Sequence, residues 1–366
     1  MITKADVFLA NIEEELQEIW NSFDEDNRAR ACLYTLIIYA PYSERLDYYQ
    51  YLVDTLMHQY PCRIIFVTGN STIGQEYLRT SVSAESVEKL GHSITCELIS
   101  IEAAGKHLER VPFIILPHII PDIPVYLAWG KEPCEDRSTF QQLQKFSTRI
   151  IYDSDASHDL SGFTRTLLSR LSPSNNTSTD LNWARLSEWR HILAKTFDTK
   201  ERREHLSKSQ NIHISYSDLI DPLIPQPSLR SRYLQCWLAA KLGWSFLDSF
   251  TSEGKQNFLY QHKYGTLTIS ISPESREEYC SGAITSIEIS THDKQKYSLK
   301  RQGLHRLIRI QTSTPERCNF PITLPLSYLN KEQSLIQETF YAPLNSDYFE
   351  TLQVLAKQQE EYAKQN

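Results

Sequence analysis

Between Phe8 and Tyr152 two hydrophobic periods alternate, and this alternation restricts the fold more than any other feature of the chain. Phe8, Ile12, Leu16, Ile19 and Phe23 recur at three- and four-residue steps, the spacing of one helix face. Ala31 to Tyr39 is short and largely apolar, as a buried strand is. Leu46, Tyr49, Leu52, Val53, Leu56 and Tyr60 return to helical steps, Pro61 stops them, and Arg63 to Val67 follows as a strand. Ser93 to Ile101 reads as a strand followed by a short helix, and Phe113 to Leu116 and Val125 to Trp129 read as strands. Thr139 to Phe146 suits a helix and Arg149 to Tyr152 a strand. Strands that alternate with helices predict an α/β domain with a mostly parallel, helix-covered sheet.

At 366 residues the chain exceeds one ordinary core, so two domains are expected. After Leu171 the sequence turns polar and rich in helix and strand breakers as far as Asp180. The second half then changes character. Helices are predicted over Ser187–Phe197 and Ser228–Leu242. Strands follow at Phe258–His262, Thr266–Ile271, Ile284–Ile289, Tyr297–Leu299 and Leu307–Gln311. Helical stretches near Leu329–Tyr341 and Asp347–Tyr362 close the chain. Strands in one block with helices at both ends predict an α+β domain with an antiparallel sheet. The expected organisation is an α/β domain over 1–171, a linker over 172–180 and an α+β domain over 181–366.

Composition removes several classes. Apolar residues at 40% and charged ones at 23% fit a globular chain rather than a disordered one. The net charge of −7 argues against a general nucleic-acid binder. Seven cysteines, odd in number and widely spaced without a CxxC, predict scattered thiols in a reducing cytosol. The N-terminus soon reaches Glu13, Glu14 and Glu15, which is not the pattern of a signal peptide. The apolar run from Val111 to Trp129 is broken by four prolines and Asp122, so no membrane span is expected. A cytoplasmic location follows as the expectation. Asn175 to Ser178 matches a glycosylation sequon twice, which without a leader is chance.

Motifs of catalysis are sparse. Gly69 to Gly74 has the glycine spacing of a phosphate loop, but Gln75 and Glu76 stand where a lysine and a hydroxyl are needed, so the loop reads as a turn. The dinucleotide pattern GxGxxG is absent, as are HExxH and GxSxG. No catalytic, cofactor or metal site is therefore assigned. Asp153-Ser154-Asp155 lies at the end of a predicted strand, where open α/β sheets place functional groups. Its structural reading, a helix cap or turn, is preferred. Lys294 to Arg309 holds Lys294, Lys296, Lys300, Arg301, Arg306 and Arg309 with no acid among them. It reads as a solvated surface before it reads as a face for an acidic partner, and last as one for RNA.

Asp180-Leu-Asn-Trp183-Ala-Arg185-Leu-Ser-Glu-Trp189-Arg190 pairs tryptophan with arginine twice. A spacing of six turns the two rings away from one helix face. Two readings stay open: a docking surface or seam, or one ring in the core and the other stapling the chain entry. This segment resembles the "DLxWxRLTPWRxxxAxxFD" stretch of the glucose-6-phosphate dehydrogenase assembly protein family, OpcA. Asp122 to Pro133 resembles its "DLPVFLWWPGxP", Arg149 to Ser154 its "DRxIVDS", and Leu238 to Trp244 its "LAxxLGW". The order of the segments is the family's. Ala128 departs from the paired tryptophans and Glu188 from the usual proline, and the last hundred or so residues carry no match. The resemblance implies a non-enzymatic protein that binds glucose-6-phosphate dehydrogenase and promotes its assembly or activity, supporting NADPH supply through the oxidative pentose phosphate route. It implies partner-binding roles for Asp122, Trp129, Trp183, Arg185, Trp189 and Arg190. The alternative is an enzyme or sensor that binds a sugar phosphate or nucleotide in the N-terminal sheet.

Overall fold

The computed structural model describes residues 1–23, 32–43, 45–58, 61–72, 74–89, 92–135, 137–171, 178–303, 307–326 and 346–365. The expected helix at 329–341, the sequon at 175–177 and linker residues 172–177 lie outside them. The chain divides into two compact units. Among the described residues the first comprises 1–158 and 178–181, and the second 159–171, 182–326 and 346–365.

The first unit contains β1 (Ile2–Lys4), α1 (Ile12–Ser22), β2 (Thr35–Pro41), α2 (Leu46–Met57), β3 (Arg63–Asn70), β4 (Tyr77–Lys89) and β5 (His92–Ala104). It continues with α3 (Val111–Ile115), β6 (Val125–Trp129), α4 (Arg137–Gln144) and β7 (Arg149–Tyr152), and β8 (Ser178–Asp180) joins from further along the chain. One sheet results, in the order β1-β4-β5-β3-β2-β6-β7-β8. From β5 to β8 every neighbouring pair is parallel, and only β4 and β1 are added antiparallel. The sheet is thus mostly parallel, as its sequence predicts. Every residue of β3, and all of β2 but Pro41, is buried, which requires cover on both sheet faces and explains the apolar runs Leu36–Ala40 and Ile64–Val67 at their centres.

One expectation fails here. Phe113–Leu116, predicted as a strand, lies in α3 and the helical turn that follows it. A short apolar run has no period of its own, and Pro112 at the start of α3 presets a helical φ. The end of the expected linker is also ordered, since Ser178–Asp180 pairs with β7 as β8.

The second unit contains α5 (Leu160–Arg170), α6 (Leu181–Arg185, whose first residue counts with the first unit), α7 (Ser187–Thr196), α8 (Lys200–Ser207), β9 (Ser209–Ser217), α9 (Leu229–Leu242) and β10 (Ser245–Ser252). Then come β11 (Lys255–His262), β12 (Gly265–Glu274), β13 (Ile284–Thr291), β14 (Lys296–Arg301), β15 (Leu307–Ser313), β16 (Ile322–Pro325) and α10 (Ser346–Gln365). Its sheet runs β10-β11-β12-β9-β13-β14-β15-β16 and is antiparallel except between β12 and β9. Leu267, Ile269 and Ile271 are buried while the residues between them are not, so one face meets the core. α9 lies against β9 and β12 and also against α10, and is buried from Leu229 to Ala239 except Arg232. Gly243 ends it with φ of 65°, a left-handed cap that takes the last carbonyls of the helix. The glycine of the Leu242-Gly243-Trp244 motif is thereby explained.

Candidate functional site

Chain order reverses between β2 and β6. From β2 the parallel strands run outward to β3 and β5, and from β6 the other way to β7 and β8. In a doubly wound sheet ligands lie outside the carboxyl ends of the strands at such a reversal. The residues there are Tyr39 to Pro41, Trp129 to Lys131 and Asp153 to Asp155.

Side chains of the chain itself fill this position. Tyr39 and Trp129 stack with ring centroids 4.5 Å apart, and both are fully buried. Phe140 of α4 packs edge to face against Trp129, with ring centroids 5.0 Å apart. A Cβ on Gly130 would lie 2.4 Å from the Tyr49 hydroxyl, so residue 130 is glycine because α2 comes so close. Gly69 meets the Tyr39 hydroxyl in the same way, at 2.9 Å. Both glycines admit protein, not ligand.

Charge at the crevice is equally committed. Arg45, just before α2, donates from Nη2 to Asp153 Oδ2 at 2.5 Å, and the Tyr49 hydroxyl donates to the same oxygen at 2.9 Å. Burial works against the Arg45 charge, but the Asp153 carboxylate outweighs it and raises that guanidinium above its ordinary range. Burial and the same carboxylate push the Tyr49 hydroxyl well above its usual value, so it stays protonated and donating. Asp153 Oδ1 also accepts from the Asp155 amide at 3.2 Å. Asp180 accepts from the Ser154 amide and hydroxyl, both at 2.9 Å, and Glu132 accepts from the Ser157 hydroxyl and the His158 amide. The turn reading of Asp153-Ser154-Asp155 holds, with the addition that Asp153 locks α2 to the sheet.

A dinucleotide does not fit this arrangement. From the end of β2 to the start of α2 the sequence reads Ala40-Pro41-Tyr42-Ser43-Glu44-Arg45, without the glycines that let a backbone approach a pyrophosphate. The Gly69–Gly74 segment is no phosphate cradle either. Gly69 is buried within β3, Asn70 Oδ1 accepts from the Thr72 amide, and Glu76 pairs with Lys106 at 2.7 Å.

The six residues named as partner-binding fall in both units. Asp122 is exposed in the turn before β6, with φ of 65°, and Trp129 is buried at the other end of that strand. Trp183 and Trp189 are 2% and 3% exposed. Both are buried because the helix breaks: α6 ends at Arg185, Leu186 closes a tighter turn on the Trp183 carbonyl at 3.2 Å, and α7 starts anew. The two rings therefore sit on separate helices, and Trp183 packs at 5.4 Å against Tyr348 of α10. Arg190 folds back on α6, with its guanidinium 3.6 Å from the Trp183 ring centroid and Nη1 donating to the Trp183 carbonyl at 2.7 Å. It supplies the donor that a helix C-terminus lacks. Arg185 and Arg230 both donate to Asn182 Oδ1 at 2.9 Å. The three tryptophans are therefore core groups of their units, and Asp122, Arg185 and Arg190 are the candidates that reach solvent.

Residues 53–169 match the family described as the glucose-6-phosphate dehydrogenase subunit N-terminal domain, and residues 176–351 the corresponding C-terminal domain. The chain belongs to the OpcA family. A protein from Synechococcus elongatus named "Putative OxPP cycle protein OpcA" is 27% identical over 219 residues, covering 59% of this chain. Proteins of the same name from Synechocystis sp. and Nostoc punctiforme are 29% and 28% identical, over 56% and 53% of this chain. The chain spans 47%, 42% and 40% of those three relatives' own lengths. In architecture it is similar to KijD10, a 3-ketoreductase from Actinomadura kijaniata solved with TDP-benzene and NADP. The TM-score is 0.51 at 9% identity, over 89% of this chain and 96% of that one. That likeness concerns the fold alone.

Sequence reasoning flagged Asp153 but missed Arg45 and Tyr49, its partners. A signal was present: a charged residue directly after the first strand of a βα unit lies at the carboxyl edge of the sheet. Among the described residues no helix is long and apolar enough to cross a membrane, and no three His, Cys, Asp or Glu side chains are grouped to hold a metal.

Proposed function

We propose that this chain is a non-catalytic assembly factor that binds glucose-6-phosphate dehydrogenase in the cytoplasm and promotes its active oligomer, supporting NADPH production. The observation that carries the reading is a doubly wound sheet whose ligand position is filled by Tyr39, Trp129 and the Arg45–Asp153–Tyr49 lock, in a chain of the OpcA family. A fold of the kind that elsewhere seats a dinucleotide is here packed shut, which leaves its surfaces as the functional part. Activation requires that the factor bind the active oligomer better than the inactive form, since equal affinity shifts nothing. The alternative, a sugar phosphate or nucleotide held in the N-terminal sheet, is disfavoured by the same packing.

The test combines the purified chain with the dehydrogenase and follows sedimentation and NADPH formation together. The expected result is a co-sedimenting complex, a larger share of the dehydrogenase oligomer and faster NADPH formation, with no turnover by this chain alone. Separate sedimentation with unchanged rates would refute the reading, as would turnover that tracks this chain through purification.

A further inference from the structure

We propose that the loop over residues 218–225 of the second unit is a docking plug, which seats Leu219 and Ile220 in an apolar pocket rimmed by basic side chains on the dehydrogenase. The inference rests on the assembly reading and adds the surface that carries it. Ile220 is 94% exposed and Leu219 39%. Single exposed aliphatic side chains are ordinary on a protein surface. Here two are consecutive, and Pro222 and Pro225 stand exposed beside them. A contiguous apolar cluster of this kind marks a contact with another molecule.

The loop is held in shape by its own unit. Its start is fixed where the Ser217 amide donates to the Ala283 carbonyl at 2.9 Å and the Gly282 amide to the Ser217 carbonyl at 2.8 Å. Asp221 to Ile224 form a turn. Asp221 Oδ1 accepts from the Leu223 amide at 2.9 Å, and the Asp221 carbonyl accepts from the Ile224 amide at 2.9 Å. Pro222, in the second position, presets that turn. Ile224 is 4% exposed and anchors the turn in the core. Pro227 lies against Gly282, where a Cβ would meet the Pro227 carbonyl at 3.1 Å. An apolar tip on a fixed backbone loses little freedom on docking, so more of its burial emerges as affinity.

Charge describes the rim of the pocket. The neighbouring loop, residues 274–279, is joined to this one through Ser217, whose hydroxyl donates to the Tyr279 carbonyl at 3.3 Å. Glu274 and Arg276 neutralise each other at 2.6 Å, and the Arg301 guanidinium lies 5.2 Å from the Tyr279 ring centroid. Asp218, Glu277 and Glu278 are all exposed and leave an excess of acid around the tip. An anionic bilayer would repel that excess, so a lipid surface is not what the tip enters. A second copy of the chain, paired tip to tip about a twofold axis, would bring the same acids against their like. A protein pocket with lysine or arginine at its rim suits both the apolar tip and its acidic surroundings.

The experiment follows association of the full chain with immobilised glucose-6-phosphate dehydrogenase at low and high salt. Ile220→Ser should weaken the complex by about tenfold or more, the scale of one buried aliphatic side chain. Ile220→Leu should bind as the wild type does. Both should keep the wild-type melting temperature, because residue 220 meets solvent in the free chain. The double variant Asp218→Asn/Glu277→Gln should slow association and flatten its salt dependence. An Ile220→Ser chain that binds as tightly as the wild type overturns the proposal, as does association that neither salt nor the double variant alters. A wild-type dimer that Ile220→Ser dissolves while dehydrogenase binding persists would assign the loop to a second copy and overturn it too. Failure of the wild type itself to bind refutes the assembly reading and this inference with it, a result distinct from binding that survives Ile220→Ser, which sinks the plug alone.

Discussion

The two sheets of this chain put their polar groups to opposite uses. At the carboxyl edge of the first sheet Asp153, Asp180 and Ser154 are at most 3% exposed, and each is held by hydrogen bonds from its own unit. On the second sheet one face carries Thr268, Ser270, Asn211, His213, Glu288 and Ser298, none of them buried. Arg276 and Lys300 in this unit, with side chains 52% and 55% exposed, pair at the surface with Glu274 and Glu288, each at 2.6 Å. Buried polar groups that are fully satisfied fix a structure, whereas exposed ones remain available to a ligand or partner. The contrast argues that the position where an open α/β sheet takes its ligand is filled by structural side chains in this chain.

The strongest way to break this contrast is to open the lock. Asp153→Ala removes the acceptor of Arg45 and Tyr49 and leaves a guanidinium buried without its carboxylate. Such a change costs about 3–5 kcal/mol. Urea unfolding should show that loss in the first unit, with a separate and unshifted transition for the second. A loss below about 1 kcal/mol, the scale of an exposed pair, would mean that the crevice is solvated and open to ligands after all.

Much of this contrast was legible in the sequence, and the reasons are physical. β2, β3, β6 and β7 are buried over most of their length, so each carries a short apolar run, such as Leu36–Tyr39, Ile64–Val67 and Ile150–Tyr152, that stands out from its surroundings. α1 and α2 each bury one stripe and show the helical period. β4 was not seen: Tyr77 to Lys89 mixes Ser, Thr and Glu with few apolar residues, because it lies toward the edge of its sheet beside only β1 and β5. β8 is three polar residues, and its strand character comes wholly from pairing with β7. The lock joins residues 108 positions apart, and no local period reports such a contact. In the Trp183–Arg190 segment both rings are buried, and the helix break at Leu186 between them has no signature in composition.

That segment offers the next test, and here the contrast can be sharpened. Trp183→Ala should destabilise the second unit by about 3–5 kcal/mol, the cost of emptying a core aromatic site. Arg190→Ala loses the ring contact and the bond to the Trp183 carbonyl, and about 1–3 kcal/mol is expected. Chemical denaturation measures both, and dehydrogenase binding is measured beside it. If Arg190→Ala weakens binding at unchanged stability, Arg190 faces the partner and the clasp on Trp183 is incidental.

The smallest expected effect concerns the opposite, amino end of the first sheet, where a partly exposed acid meets a buried base. Arg63 is 4% exposed, and it donates from Nε to Glu97 at 2.6 Å and from Nη1 to Glu13 at 2.8 Å. His118 Nδ1 also lies 2.7 Å from Glu13. Burial alone would raise the Glu13 carboxyl, but the His118 hydrogen bond and the Arg63 charge outweigh it and hold the pKa below its ordinary value. A carboxyl depressed in the folded state favours folding above its unfolded pKa, about 4.3. That contribution is lost as pH falls through the folded value. The Glu13 side chain is 47% exposed, so solvent screening keeps the contribution under about 1 kcal/mol. Urea midpoints of the wild type and Glu13→Gln, compared from pH 7 down to pH 3, should differ at neutral pH and converge in acid. Curves that stay parallel across the whole range would show that Glu13 is a solvated bystander, and that Glu97 alone neutralises Arg63 at this end of the sheet.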